Sequence, residues 1–417
     1  MSETKDAGQR SSVRMAAVLT LMQLLTAASA YGVNILSSRT LGAEGRGLLV
    51  LALQLTYFAA IFVVLGIERP FMASVSAPFP NAFRAFASFL KPGIWLSGVV
   101  VAGGLLILAL GDVQVGALIV FGGAYMLLNG LGKGIRVAAV SAQSVSALVW
   151  FTVGTQGGML FLSAVLAALN VQSAILWFAA YTLTGTSSLL ILVLFKPTQN
   201  LPVMSVESKS IMRQQGLRLL PASISNTAMV RLDRLLLPVF AGISSLGVYS
   251  AVSTVMEMAS WPIAQWVDSS LGRWRKEGRE FSRSQVFRLS VQATLVSLFF
   301  STAVGLVAYW SIVWFLPVEF LASIGLIVPL GISSVIYSVS RVQQGALVVL
   351  GRGGTVSVVE IIGMAAAVVG YILLIPQFGA LGAALGAIVG YAASVLAGAG
   401  ALYLRVGESA VRTESRE

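Results

Sequence analysis

The stretch 361–404, IIGMAAAVVGYILLIPQFGALGAALGAIVGYAASVLAGAGALYL, runs for 44 residues without an Asp, Glu, Lys or Arg. About 20 apolar residues span a bilayer as a helix. This length therefore holds two helices, and Pro376-Gln377-Phe378-Gly379 marks the turn between them. Working outward, further charge-free runs cover 15–38, 47–67, 92–111, 113–132, 137–195, 235–256, 289–318 and 320–340. The longest of these, 137–195, breaks at Asn170-Val171-Gln172. A bilayer has no water to satisfy backbone groups, so only helices or closed barrels can cross it. Unbroken runs without period-two alternation exclude the barrel.

The expected fold is an all-α polytopic membrane protein of twelve transmembrane helices. They fall near 14–38, 46–68, 88–111, 114–138, 143–169, 172–195, 214–240, 246–271, 285–309, 320–350, 353–375 and 379–404. They group into two pseudo-symmetric six-helix bundles, 13–195 and 214–405, joined by a cytoplasmic linker, 196–213. Polar tails, 1–12 and 406–417, are expected to be disordered. Lys5, Arg10 and Arg14 before an apolar run could suggest a cleaved leader, but the run continues to Ser38, so a retained first helix is expected.

Composition agrees with this. The chain is 57% hydrophobic and 10% charged, where a soluble protein is about a quarter charged. It has no cysteine and no histidine, which removes disulfides, thiolate metal sites and the usual proton shuttle. No cofactor or metal is expected. The formal charge of +11 is explained by topology rather than by nucleic acid. With both termini in the cytoplasm, 22 of the 27 Lys and Arg fall on inside tails, loops and their flanks, Lys133 and Arg136 among them. Only Arg39 and Arg46 fall outside, and Arg231, Arg234 and Arg341 lie within helices. This is a strong positive-inside bias. Reporter fusions after Lys196 and Lys276 should therefore read as cytoplasmic, and fusions at Asp112 or Gln377 as external. A reversed reading at either basic loop would overturn the twelve-helix topology.

A weak repeat relates the two halves. Leu41-Gly42-Ala43-Glu44-Gly45-Arg46-Gly47-Leu48 joins helices one and two, and Ala241-Gly242-Ile243-Ser244-Ser245-Leu246-Gly247-Val248 joins helices seven and eight with matching glycine spacing. A parallel repeat would place a binding cavity between the halves. Glycine's suitability for tight hairpins explains the same pattern.

Ionisable residues inside a membrane are functional candidates by default. They are Arg231, Asp233 and Arg234 on helix seven, Glu257 and Asp268 on helix eight, Arg341 on helix ten and Glu360 on helix eleven. Three polar stripes recur at helical spacing: Ser223, Thr227, Arg231 and Arg234; Thr254, Glu257, Trp261, Gln265 and Asp268; Ser334, Tyr337, Arg341 and Gln344. They read either as walls of a cationic chamber or as polar glue between helices. Arg231 and Arg234, three apart, present two guanidinium forks on one face, which suits phosphate or pyrophosphate. Glu257 and Glu360 are candidates for ion or proton coupling, or for neutralising Arg341. Pro221, Pro262 and Pro329 are expected to weaken or kink helices seven, eight and ten. There is no Walker A sequence and no hydrophilic segment large enough for a nucleotide-binding domain. Outer loops are short, with Glu44, Asp112 and Glu319 isolated, so an enzyme is not expected.

Three stretches resemble the polysaccharide exporters, or oligosaccharide flippases, of the multidrug/oligosaccharidyl-lipid/polysaccharide exporter superfamily. The first is Ser38-Arg39-Thr40-Leu41-Gly42-Ala43-Glu44-Gly45-Arg46-Gly47. The second runs from Gly216-Leu217-Arg218-Leu219-Leu220-Pro221 through Arg231-Leu232-Asp233-Arg234-Leu235-Leu236-Leu237 to Leu246-Gly247-Val248-Tyr249-Ser250-Ala251. The third is Ile375-Pro376-Gln377-Phe378-Gly379-Ala380-Leu381-Gly382-Ala383-Ala384. The resemblance implies alternating access and export of an undecaprenyl-pyrophosphate-linked oligosaccharide across the cytoplasmic membrane. Its motif carries over to Arg39, Arg231, Asp233 and Arg234. The implied partners are the lipid-linked oligosaccharide, membrane lipids, and the polysaccharide polymerase and chain-length machinery.

Two other readings stay open at this stage. A multidrug antiporter of the same superfamily would need an acidic pocket in the first half, where Glu68 and Asp112 stand only at helix ends and few other charges lie within helices. A non-transporting scaffold would not need aligned charged stripes.

Overall fold

A 63-residue helix, Ser2–Val64, opens the chain and is broken once, at Gly42 (φ 65°, ψ −175°). Positive φ is readily adopted only by glycine, so this residue turns one run of helix formers into two helices. The computed structural model describes residues 2–75, 77–142, 144–196, 204–276, 283–350 and 353–414. Among them, α1 (2–41) and α2 (43–64) flank the Gly42 break. They are followed by α3 (Lys91–Ala109), α4 (Val113–Ser141), α5 (Val145–Ala168) and α6 (Ala174–Leu194). Then come α7 (Val206–Ala241), α8 (243–276), α9 (Arg283–Phe315), α10 (Val318–Val349), α11 (Gly353–Phe378) and α12 (Ala380–Glu414). Twelve long segments in the expected order make this a multi-pass helical membrane protein.

Nine helical stretches, with α1 and α2 counted as one, are long and apolar enough to cross a membrane among the described residues. The two long segments missing from that count are α7 and α8. Arg231, Asp233 and Arg234 fall inside the apolar part of α7. A tighter turn at Glu257–Ser260 divides α8. That turn lies just before Pro262, which has no N–H to continue the helical ladder. Pro329 likewise stands in the first turn of Ile327–Val349, after the 3-10 stretch Val318–Leu326. Pro221 leaves α7 continuous. The expected chain breaks fall at Asn170 (φ 49°) and Gly379 (φ 56°).

Some boundaries differ from the sequence reading. Helix α1 extends back to Ser2 and α12 runs on to Glu414, where polar tails were expected. Helix α7 begins at Val206, inside the 196–213 linker. The cause is common to all three: a helix that leaves the hydrocarbon can continue into water on charged, helix-tolerant residues.

Two compact units divide the chain, and two helices are shared between them. One unit comprises Met1–Leu41 and Leu51–Ile224; the other comprises Gly42–Val50 and Ser225–Glu417. In the first, a phenylalanine cluster forms much of the core. Between α2 and α3 the short helix Phe79–Phe89 buries Phe79, Phe83, Phe86 and Phe89, spaced four, three and three apart. Phe71 meets the ring of Phe86 edge-on, with centroids 5.2 Å apart. Basic residues on either side of this segment predict an inside loop; its apolar spacing instead makes a buried helix.

In the second unit the two hairpin repeats pack against each other. A Cβ on Gly47 would lie 2.0 Å from the Ile243 carbonyl oxygen, and a Cβ on Gly247 1.8 Å from that of Ala43. Each glycine is thus the place where one hairpin's backbone lies on the other's. The Ala43 N–H also donates to the Glu319 carboxylate at 2.8 Å, so Glu319 caps the start of α2. Glu319 had been read as isolated. Arg46, counted in the outer hairpin, is 4% exposed in this packing. Helices α11 and α12 also meet along small residues, with Gly386 against Tyr371 and Gly390 against Ala367.

Candidate functional site

In the second unit, α7, α8, α10 and α12 enclose a cavity of about 230 Å³. Arg231, Asp233, Tyr249, Glu257, Ser334, Tyr337 and Tyr391 line it, together with Ser253, Ser260 and Trp261. Helical periodicity brings these groups together: Tyr249, Ser253 and Glu257 recur every four residues on α8, and Ser334 and Tyr337 are three apart on α10.

The two arginines of the α7 stripe do different things. Arg231 is half-buried and lines the cavity. Arg234 is 2% exposed and is not among the lining residues. Its guanidinium forms an ion pair with Glu257 and donates to Ser253 Oγ at 3.1 Å. The backbone N–H of Arg234 donates to the Asp233 carboxylate at 2.8 Å, and the Tyr249 hydroxyl donates to the same group at 2.6 Å. Asp233 is itself buried, at 5% exposure. The expectation of two forks facing one ligand therefore meets a geometry in which one arginine opens on the cavity and the other braces α7 against α8. Sequence spacing puts both on one face but does not show that α8 supplies a carboxylate to one of them.

The remaining candidates are scattered. Glu360 is 5% exposed on α11 and accepts a hydrogen bond from Asn226 at 3.2 Å, away from the cavity lining. Arg341 is half-buried on α10, one turn beyond Tyr337 and outside the lining. Glu257 forms an ion pair with Arg234, and its side chain is 34% exposed. Arg39 is exposed at the end of α1, three residues before the Gly42 break. The side chain of Asp268 lies outside the described residues.

The first unit holds a larger cavity, about 460 Å³, that the sequence reading did not anticipate. It is lined by Tyr57, Glu68, Tyr125, Asn129, Lys133, Arg136 and Gln156, among others. Lys133 and Arg136 had been assigned to the inside flank of helix four. The helix runs from Val113 to Ser141 and carries both side chains to the cavity lining. The available signal was periodic: Tyr125, Asn129, Lys133 and Arg136 follow one another at intervals of four, four and three.

Neither a protein-family model nor a curated protein sequence matches the chain. Solved structures do match it in fold. An inward-facing multidrug resistance MATE family transporter of the MOP superfamily superposes with a TM-score of 0.68 at 14% identity, covering 94% of this chain and 98% of that one. The lipid II flippase MurJ, in an inward closed conformation, gives 0.61 at 12% identity, covering 92% and 87%. A eukaryotic MATE transporter gives 0.58 at 13% identity, covering 98% and 99%. The chain has a polytopic transporter fold. More particularly, it shares the helical arrangement seen in these MATE and MurJ structures.

Proposed function

We propose that this protein is a transporter that flips a lipid-linked oligosaccharide, carried on undecaprenyl pyrophosphate, across the cytoplasmic membrane by alternating access, with both termini in the cytoplasm. The observation that carries the choice of an anionic substrate is the state of the charges. The intramembrane carboxylates Asp233, Glu257 and Glu360 each engage a donor from within the second unit. Arg231 contributes a guanidinium to the lining of the cavity, beside Asp233 and Glu257, which already accept from Tyr249 and Arg234. A site for organic cations needs a carboxylate left to the ligand; a site for pyrophosphate needs a guanidinium. The resemblance of the α7 motif to oligosaccharide flippases and the MurJ-like fold point the same way.

Arg231→Ala should leave the protein inserted and folded but reduce export about tenfold or more, because a hydrogen bond to a charged group contributes about 1.5–3 kcal/mol and about 1.4 kcal/mol is tenfold. Arg231→Lys should fall between, since a point charge replaces a bidentate fork. Export is measured in cells lacking their own flippase, with membrane abundance checked by immunoblot. Wild-type export by a well-inserted Arg231→Ala protein would defeat the proposal. A second reading, export of an organic cation, draws on Asp233 and Glu257 lining the same cavity. It predicts efflux of cationic dyes that Glu257→Gln abolishes and Arg231→Ala spares.

A further inference from the structure

We infer that the first unit's cavity binds the oxyanion of an acidic carbohydrate head group, with Arg136 as its anchor; this rests on the reading of the protein as a glycan transporter and names the class of glycan. The volume, about 460 Å³, lies within the range of about 300–1,000 Å³ found for small-molecule sites. Its lining suits a sugar. Tyr57, Tyr125, Asn129 and Gln156 supply hydroxyls and amides, which both donate and accept, as sugar hydroxyls do. The Tyr57 and Tyr125 rings lie 6.1 Å apart, giving apolar faces beside those polar groups.

The two cations of the cavity are not equivalent. Lys133 Nζ is 3.5 Å from the Glu68 carboxylate, so its charge is matched within the protein. Arg136, exposed on the same lining, makes no ion pair or hydrogen bond among the described residues. A guanidinium that opens on a cavity and has no counter-charge of its own is left available to an anionic ligand. Its planar fork matches a carboxylate or a phosphate in two parallel hydrogen bonds. The same charge repels an organic cation. Both a uronic acid carboxylate and a sugar phosphate offer this chemistry.

The test uses the purified full-length protein in nanodiscs, titrated calorimetrically with methyl β-glucuronide, glucose 1-phosphate and neutral methyl β-glucoside. At least one acidic probe should bind more tightly than the glucoside, and the tighter of the two identifies the oxyanion. Arg136→Ala should weaken that binding about tenfold or more while leaving the glucoside unchanged. Glu68→Gln should tighten it by releasing Lys133 and removing a like charge, a gain expected only if the oxyanion sits in this cavity. Absence of binding by either acid, equal binding of the glucoside, or an Arg136→Ala affinity within twofold of wild type would overturn the inference. Export by the wild-type protein, measured in parallel, separates the two claims. If binding fails while export persists, the cavity assignment falls alone; if wild-type export itself fails, the transport proposal falls.

Discussion

Gly247→Ala should strip the second unit of its fold, and Gly47→Ala should do nearly the same. An added Cβ would stand 1.8 Å from the Ala43 carbonyl oxygen in the first case and 2.0 Å from that of Ile243 in the second. Both obstructing atoms are backbone, so no side chain can swing aside and the two hairpins must separate. Overpacking typically costs about 1–3 kcal/mol, occasionally more, and a clash of backbone on both sides belongs at or beyond the upper end. Gly98 in α3 is the control: a Cβ there meets nothing within 4 Å. Gly98→Ala should be neutral or slightly stabilising through helix propensity alone. Melting curves in detergent, followed by fluorescence-detected size exclusion, would decide. A Gly247→Ala protein as stable as the Gly98→Ala control would show that the hairpins do not meet as described.

Arg234→Met should destabilise strongly, and adding Glu257→Met should restore part of the loss. Breaking a buried ion pair from one side costs about 3–5 kcal/mol, because the other charge is left without compensation. Glu257 is 34% exposed, so water relieves part of its penalty and the lower end of that range applies. Asp233 is less fortunate: it is buried beside Arg234 and keeps only neutral donors, Tyr249 and the backbone. The doubly substituted protein, lacking both members of the pair, should be more stable than the sum of the single effects predicts. Additive losses would mean that Arg234 and Glu257 do not act as a pair. Arg231→Ala, at a half-buried position, should cost less thermal stability than Arg234→Met while lowering export. The two neighbouring arginines are thereby assigned different work by different readouts.

How much of this was visible beforehand depends on what kind of signal each feature leaves. Helices were legible because charge-free length is a one-dimensional property: the α11–α12 hairpin can be read from 361–404, with its turn at Gly379. The matched glycines of the repeat were visible too, although their reciprocal packing was not, since hairpin geometry accounts for the same residues. Partnership was the illegible part. Arg234 and Glu257 are 23 residues apart, and Ala43 and Glu319 are 276 apart; no local pattern announces either contact. Lys133 and Arg136 were hidden differently. Counting basic residues by loop records their charge but not that their spacing from Tyr125 and Asn129 turns them toward a common cavity.

The contact between Ala43 and Glu319 has a consequence for how the chain is made. At a synthesis rate of about 5–20 residues per second, the residues that open α2 leave the ribosome roughly 14–55 s before their carboxylate cap. Closing so long a loop is thermodynamically cheap, since each doubling of length costs only about 0.6 kcal/mol. The delay is kinetic. Residues 42–50 belong to the second unit, so the first six helices cannot mature as an independent unit in the order in which they are inserted. Throughout that interval the Ala43 N–H lacks its carboxylate acceptor, while Gly47 waits a shorter time for Ile243. The nascent protein therefore passes through a defined window, between insertion of α2 and arrival of α10, in which the start of α2 lacks part of its native packing.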